Sequence, residues 1–307
     1  MANFIRLDNV RPADSRPVVD RADPMAPATG ALLLVEPQSP YRPWGPGVPA
    51  SGAAVPNVAG ATASRLLNVA PSAVQPTVDY QGISSTSSTK GLLQRTGKGG
   101  MHAIMSTTVA PASGDGFRVR VPTAILNYIA TNPTNDIYVS LWGRITRLSE
   151  AALVWSAIAL TASPSATNLL YAFGNDGNTF PTSSPPRLGA RRDPPNSWRP
   201  SYNPNLTPRP FILNAAFANN SGTIDATRGS KLFAVGAHGA ANEPFAGPSA
   251  ASQQVSGALY RYYMEDLTVS GRTYAQVDKL DSDLYVKEVL TAGGRYFDDT
   301  YTQPGGY

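Results

Sequence analysis

Cysteine is absent from all 307 residues. That excludes a disulfide framework, thiolate-held zinc, iron–sulfur clusters and thiol catalysis. Charge is scarce: Asp, Glu, Lys and Arg make up 15% of the chain, against roughly 25% in ordinary soluble domains. Histidine is rarer still, with only His102 and His238. Neither sits in an H-x-H, H-x3-H or H-E-x-x-H spacing, so no metal site is expected. No G-x-S-x-G elbow exists, which removes the nucleophile signature of the α/β hydrolases. Between Gly91 and Gly97 lie five residues, and Gly99 follows Lys98; a P-loop requires four and then Ser or Thr. Long apolar runs are also missing, and nothing approaches the ~18 residues of a membrane helix. The opening Met1-Ala2-Asn3-Phe4-Ile5-Arg6 is mixed polar and has no secretory h-region. A chain made in the cytoplasm is expected, with no membrane partner.

Carboxylates offer little more. Glutamate occurs at 36, 150, 243, 265 and 288 only. Glu265 and Asp266 are neighbours on an expected strand, so they point to opposite faces and cannot form a catalytic pair with each other. Asp281-Ser282-Asp283 and Asn175-Asp176-Gly177-Asn178 carry oxygen ligands, but neither matches the twelve-residue calcium loop. A helix-surface charge pair and a hairpin turn explain them equally well. The chain is expected to be no enzyme and to hold no cofactor. The net charge of +4, from 25 basic and 21 acidic residues, is too small to argue for nucleic acid.

What the chain has in quantity is proline (28), glycine (27) and tyrosine (14). Ten prolines fall in residues 1–60, at 12, 17, 24, 27, 37, 40, 43, 46, 49 and 56. Each fixes φ, removes a donor and biases its predecessor toward extended backbone, so no long helix can form there. Phe4, Leu33, Tyr41 and Trp44 stand in this stretch as isolated apolar anchors. The expectation is an extended arm that orders on a neighbouring subunit, the alternative being a floppy tail. Residues 61–99, with the run Ser84-Ser85-Thr86-Ser87-Ser88-Thr89, extend the arm as a linker.

From residue 100 the pattern turns to strands. Expected strands cover 104–109, 117–121, 136–148, 151–160, 169–173, 211–217, 231–236 and 256–267, with another over 272–277 after the turn Ser270-Gly271. In the longest, Tyr138, Ser140, Trp142 and Arg144 share one side; Ile137, Val139 and Leu141 share the other. Only 277–290 has helical spacing, through Leu280 and Leu284. Residues 181–210 break the rhythm with nine prolines and predict a long projecting loop. Arg187, Arg191, Arg192, Trp198, Arg199 and Tyr202 in it are of the types that dominate protein interfaces; an arginine patch for phosphate is the competing reading. Residues 291–307 form a Gly/Tyr-rich tail whose Tyr296 and Tyr301 are further interface candidates. Many short strands and almost no helix predict an all-β antiparallel sandwich of jelly-roll type over 100–290, flanked by the two arms. Leu141, Phe173, Phe211, Phe233 and Leu259 are expected between its sheets.

The stretch 257–274, Gly-Ala-Leu-Tyr-Arg-Tyr-Tyr-Met-Glu-Asp-Leu-Thr-Val-Ser-Gly-Arg-Thr-Tyr, resembles a closing strand–turn–strand of virion proteins of tailed bacteriophages. Arg144 after the Tyr138-to-Trp142 strand, and Leu232-Phe233-Ala234-Val235-Gly236, fit earlier strands of the same family. The resemblance covers about residues 100–290 and implies a concanavalin-like (laminin-G-like) jelly roll in the virion. It implies a tail, baseplate or head-decoration protein whose partners are copies of itself and other virion proteins. A carbohydrate-binding module that recognises host surface glycan is the alternative. No catalytic residue is implied, because none matches.

Overall fold

The structure is a computed structural model that describes residues 23–27, 29–86, 88–147, 154–161, 169–176, 187–192, 199–205, 210–218, 231–237, 250–251 and 254–302; for 154–205 and Lys231 only the backbone is described. Among the described residues, thirteen strands alternate with a few short helices. In chain order the strands are β1 (Ala31–Val35), β2 (Thr77–Gln81), β3 (Gly91–Arg95), β4 (Met101–Met105), β5 (Gly116–Arg120), β6 (Asp136–Arg147) and β7 (Val154–Thr161). There follow β8 (Leu169–Asp176), β9 (Arg187–Arg192), β10 (Arg199–Asn205), β11 (Pro210–Ala218), β12 (Lys231–Gly236) and β13 (Ser256–Asp266). The helices are α1 (Gly60–Leu67), α2 (Thr123–Thr131), α3 (Leu267–Ser270) and α4 (Tyr274–Tyr285).

The strands form two antiparallel sheets. The first runs β11-β6-β13-β4-β3, and β1 shares with β4 the far edge of β13; the second runs β10-β9-β8-β7-β12-β5-β2. On β13, β4 pairs with Gly257 to Leu259 and β1 with Tyr262 to Glu265, so two short strands cover one long one in tandem. Between the sheets lies an aliphatic and phenylalanine core that includes Val35, Val119, Val139, Leu141, Leu213, Phe233 and Leu259. Period-two alternation places it: Ile137, Val139 and Leu141 of β6 face this core, as the sequence predicts, and Ile145 joins them. Leu141, Phe211, Phe233 and Leu259 are buried there, while the side chain of Phe173 lies outside the described residues. The all-β antiparallel sandwich expected from the sequence is therefore present.

The expected arm is not an arm over residues 29–86. β1 is buried along its whole length. Leu33 lies in the inter-sheet core, and α1, β2 and β3 are integral parts of the sandwich, so no boundary falls at residue 99. Burial of a Leu or Val contributes about 1.5–3 kcal/mol, enough to exceed the ~1–2 kcal/mol needed to fix its backbone. Four consecutive aliphatics outweigh the prolines around them. Asn57 closes the outer edge of β1 where another strand would pair. Its Oδ1 accepts from Leu34 N and Ala59 N, and its Nδ2 donates to the carbonyls of Leu32 and Val74, all at 3.0 Å.

Two further expectations change. The 181–210 segment contains β9 and β10, antiparallel to each other, at the far edge of the second sheet. Proline is tolerated there because an edge strand leaves one row of backbone groups unpaired. Residues 272–277 are not a strand, because a capping box between Thr273 and Gln276 starts α4 at Tyr274. The buried stripe of α4 is Val277, Asp281 and Tyr285, continued by Val289 in a π-helical turn (Val286–Leu290). Leu280 and Leu284 flank it, half-buried.

Candidate functional site

The face of the first sheet that points away from the core is not open. It carries Tyr138, Trp142, Tyr260 and Tyr263, all buried, and α4 with residues 291–302 lies across it. A bulge sets this arrangement. Leu259 pairs with Gly143 and Arg261 with Trp142, which leaves Tyr260 as an extra residue in β13. Tyr260 and Arg261 consequently point to the same, covered face instead of opposite ones.

Arg261 is the centre of a buried ion cluster. Its guanidinium meets Asp23 at 2.6 and 3.0 Å and Glu36 at 3.1 Å, and it stacks on the Trp142 ring 4.9 Å from the centroid. Arg295, from the segment after α4, also binds Glu36. Burial works to raise the Asp23 carboxyl, and the Arg261 guanidinium beside it holds it below its ordinary value. Burial likewise works to lower Arg261, and Glu36 and Asp23 hold it above its ordinary value. Burial pushes the Glu36 carboxyl up against the pull of both arginines.

Asp281, on the buried stripe of α4, reaches the same face. Its two oxygens accept from Tyr138 OH at 2.9 Å and Trp142 Nε1 at 3.0 Å. Burial pushes its carboxyl up to about 6. Two arginines face Asp23 and Glu36, and Arg295 also meets Glu288 at 3.6 Å. Once ionised, Asp281 adds a further negative charge that must share Arg261 with Asp23 and Glu36. Tyr138 is raised above its ordinary value by burial and by Asp281 beside it.

Of the tail expected after residue 290, residues 291–302 are seated as well, and 303–307 lie outside the described residues. Tyr296 is 1% exposed and stacks on Tyr260 with ring centroids 4.5 Å apart. Its hydroxyl donates to the Tyr260 carbonyl at 3.1 Å. Tyr301 lies under Arg144, 4.9 Å from the guanidinium carbon, and edge-on to His102 at 5.2 Å. Thr302 Oγ1 donates to Gln94 Oε1, Gln94 Nε2 donates to His102 Nδ1, and His102 Nε2 therefore donates to Thr146 Oγ1 at 2.8 Å. Burial, reinforced by Arg144 and Arg147, pulls His102 down to about 3, so it stays neutral.

The other interface candidates are dispersed. Phe4 and Trp198 lie outside the described residues. Trp44 is an anchor of the sandwich itself: it is 5% exposed, with Arg95 above its ring. Tyr41 is exposed at 37%, on a loop pinned by Arg95, which donates to the carbonyls of Gly45 and Gly47. Arg187, Arg191 and Arg192 fall on β9 and Arg199 and Tyr202 on β10, where only the backbone is described.

On the second sheet, Asp79 accepts from Arg118 and Arg120 across the β2–β5 pair. Asp79, Tyr80, Gln81, Gly114, Gly116 and Arg118 line a hollow of about 40 Å³. Among the described residues no group of three or more His, Asp or Glu is placed to hold a metal ion. No described helix is long and apolar enough to cross a membrane. Sequence reasoning missed the ion cluster because its members, Asp23, Glu36, Arg261, Asp281 and Arg295, are scattered along the chain; the one local signal was a charge, Arg261, inside an aromatic strand. Compared with known proteins, the chain matches no family model and no curated protein.

Proposed function

We propose that this protein is a structural component of a tailed-bacteriophage virion, a tail, baseplate or head-decoration protein built on a concanavalin-like jelly roll. One observation carries the reading. The buried charges fasten chain segments to one another: Asp23 and Glu36 from the N-terminal side, and Asp281 and Arg295 from the C-terminal side, converge around Arg261 of β13 and Trp142 of β6. Polar chemistry placed this way reinforces a scaffold. The stretch resembling virion proteins supplies β13, α3 and the start of α4, the elements around which this fastening is built. Its partners are copies of itself and other virion proteins. The test is to locate the protein in purified particles by electron microscopy with an antibody or an appended tag. Regular labelling at one site on the particle supports the reading, and absence from purified particles overturns it.

A second reading is recognition of host surface glycan, with a sugar edge meeting the rim of the second-sheet hollow, whose volume of about 40 Å³ admits water and no sugar ring. A carboxylate, a guanidinium, an amide and a tyrosine are the groups that bind sugar hydroxyls and ring faces. The first sheet is a poor place for it, since its outer face is covered. Saccharide binding is to be measured on the full chain, because residues 29–99 are part of the sandwich. Loss of binding on Asp79→Ala supports this reading.

A further inference from the structure

We infer that residues 272–302 form an exchangeable strap, able to seat on the aromatic face of a second copy of this chain as well as on its own. The two faces of the first sheet differ in composition. The core between the sheets is Leu, Ile, Val, Met and Phe for the most part. The face beneath the strap sets Tyr138, Trp142, Tyr260, Tyr263 and Arg261 among a few aliphatics such as Ile212 and Ala258, and the strap meets it with Tyr274, Asp281, Tyr285 and Tyr296 beside Val277 and Val289. Tyr, Trp and Arg with paired hydrogen bonds are the residues of protein–protein contact centres, not of domain interiors.

The connection has the form exchange requires. Among the described residues the strap joins the sandwich at one point, Gly271. Its φ is +71, and a Cβ built there meets nothing within 4 Å. Gly271 itself is exposed; Arg272, the first residue on the strap side, donates to Glu265 and to the Met25 carbonyl, contacts that travel with the strap and are remade on the face that receives it. The sheet beneath is complete without the strap, since β6, β13 and β11 pair with one another. An exchanged pair therefore makes every contact of the closed monomer and differs only at the turn. A strap tethered by a short turn sees its own face at an effective concentration on the order of mM. The closed form dominates in dilute solution, and exchange takes over where copies are held together at comparable local concentration.

The chain's lack of cysteine gives a clean test. Asn214 of β11 donates to Asp278 of α4 at 2.6 Å across the seat. Two single variants, Asn214→Cys and Asp278→Cys, are mixed, co-refolded at ~1 mM and treated with a short bis-maleimide. A covalent heterodimer in the mixture, absent from either variant alone, is the expected result. The double variant, bridged within one chain in dilute solution, confirms that both sites react. Monomer alone in the mixture, with the double variant bridging, overturns the inference. Deletion of Gly271 gives an independent reading with native side chains: the shortened turn should drive most of the protein into dimers by light scattering, and a folded monomer at all concentrations overturns the inference. Both measurements use purified chain and stand or fall apart from the virion reading.

Discussion

Arg261 lies over the indole of Trp142, 4.9 Å from its centroid, and the same indole donates to Asp281. One aromatic ring thus separates a buried cation from a buried carboxyl on opposite elements. Removing the cation leaves Asp23 and Glu36 facing each other with a single remaining arginine. Arg261→Ala is expected to cost about 3–5 kcal/mol, read as a lower midpoint in urea unfolding. Arg261→Lys should recover only part of this, because an ammonium cannot keep both oxygens of Asp23 and the stack on Trp142. A near-native Arg261→Ala midpoint would show that the cluster is decorative.

Between pH 7 and pH 4 two buried groups pull stability in opposite directions: His102, held down to about 3 in the folded chain, favours the unfolded state as acid is added, and Asp281 favours the folded one. The Asp281 carboxyl is raised from 3.8 to about 6 in the folded chain, so the folded state holds the proton more tightly than the unfolded one. Its contribution is full below pH 3.8 and is lost as pH rises through about 6, a swing of roughly 3 kcal/mol. Glu36, also raised, acts in the same direction; Asp23, lowered, acts oppositely and only at more acid pH. Asp281→Asn removes the acid-side gain and leaves less to oppose the loss due to His102, so its stability should fall more steeply on acidification than that of the unaltered chain. Tyr138 can turn its hydroxyl to accept from the amide. Identical pH profiles for the two proteins would refute the assignment.

Asn57 satisfies two backbone groups of β1 and two more beyond it. Asn57→Ala leaves these buried groups unpaired at about 1–3 kcal/mol each. A loss of more than about 3 kcal/mol is expected, while exposed Arg42→Ala nearby should change stability little. Hydrogen exchange of Leu34 N–H gives a local check: protection should fall first there.

Phe233 and Leu259 are buried between the sheets, and replacing either by Ala should cost on the order of 2–5 kcal/mol. Tyr301→Ala, on the strap and half-exposed, should cost less. Comparable losses at all three positions would mean that strap and core unfold as one packed body.

Deletion of residues 1–60 should abolish folding, because it removes β1 and Asn57 together with Asp23 and Glu36. A cooperative melt in the shortened chain would contradict the placement of β1 in the first sheet.

The sandwich was legible where alternation was strong. β5, β6, β11, β12 and β13 fall within a residue or two of the strands expected, because apolar and polar side chains alternate along them or their runs are bounded by turns. The sequence misled where two rules competed. Proline density around Leu32-Leu33-Leu34-Val35 signals an extended arm, yet burial of four aliphatics decides the outcome. In α4 the inward stripe contains Asp281, so a search for apolar spacing finds Leu280 and Leu284 instead. The covered face was hidden for a related reason: its tyrosines and arginine look like surface residues until Asp23, Glu36, Asp281 and Arg295, distant in sequence, arrive to pair with them.

The bulge in β13 has a consequence for how the molecule divides. Without Tyr260, Leu259 and Arg261 would fall opposite Gly143 and Trp142 as consecutive pairs, and the strand would run in step with its neighbour from Gly257 onward. The sandwich has no use for the extra residue; Tyr296, which stacks on its ring, does. One inserted amino acid therefore separates two properties that usually share the same residues. A chain shortened by Tyr260 alone keeps the strands of its sandwich in phase and loses the shelf on which its last turns rest.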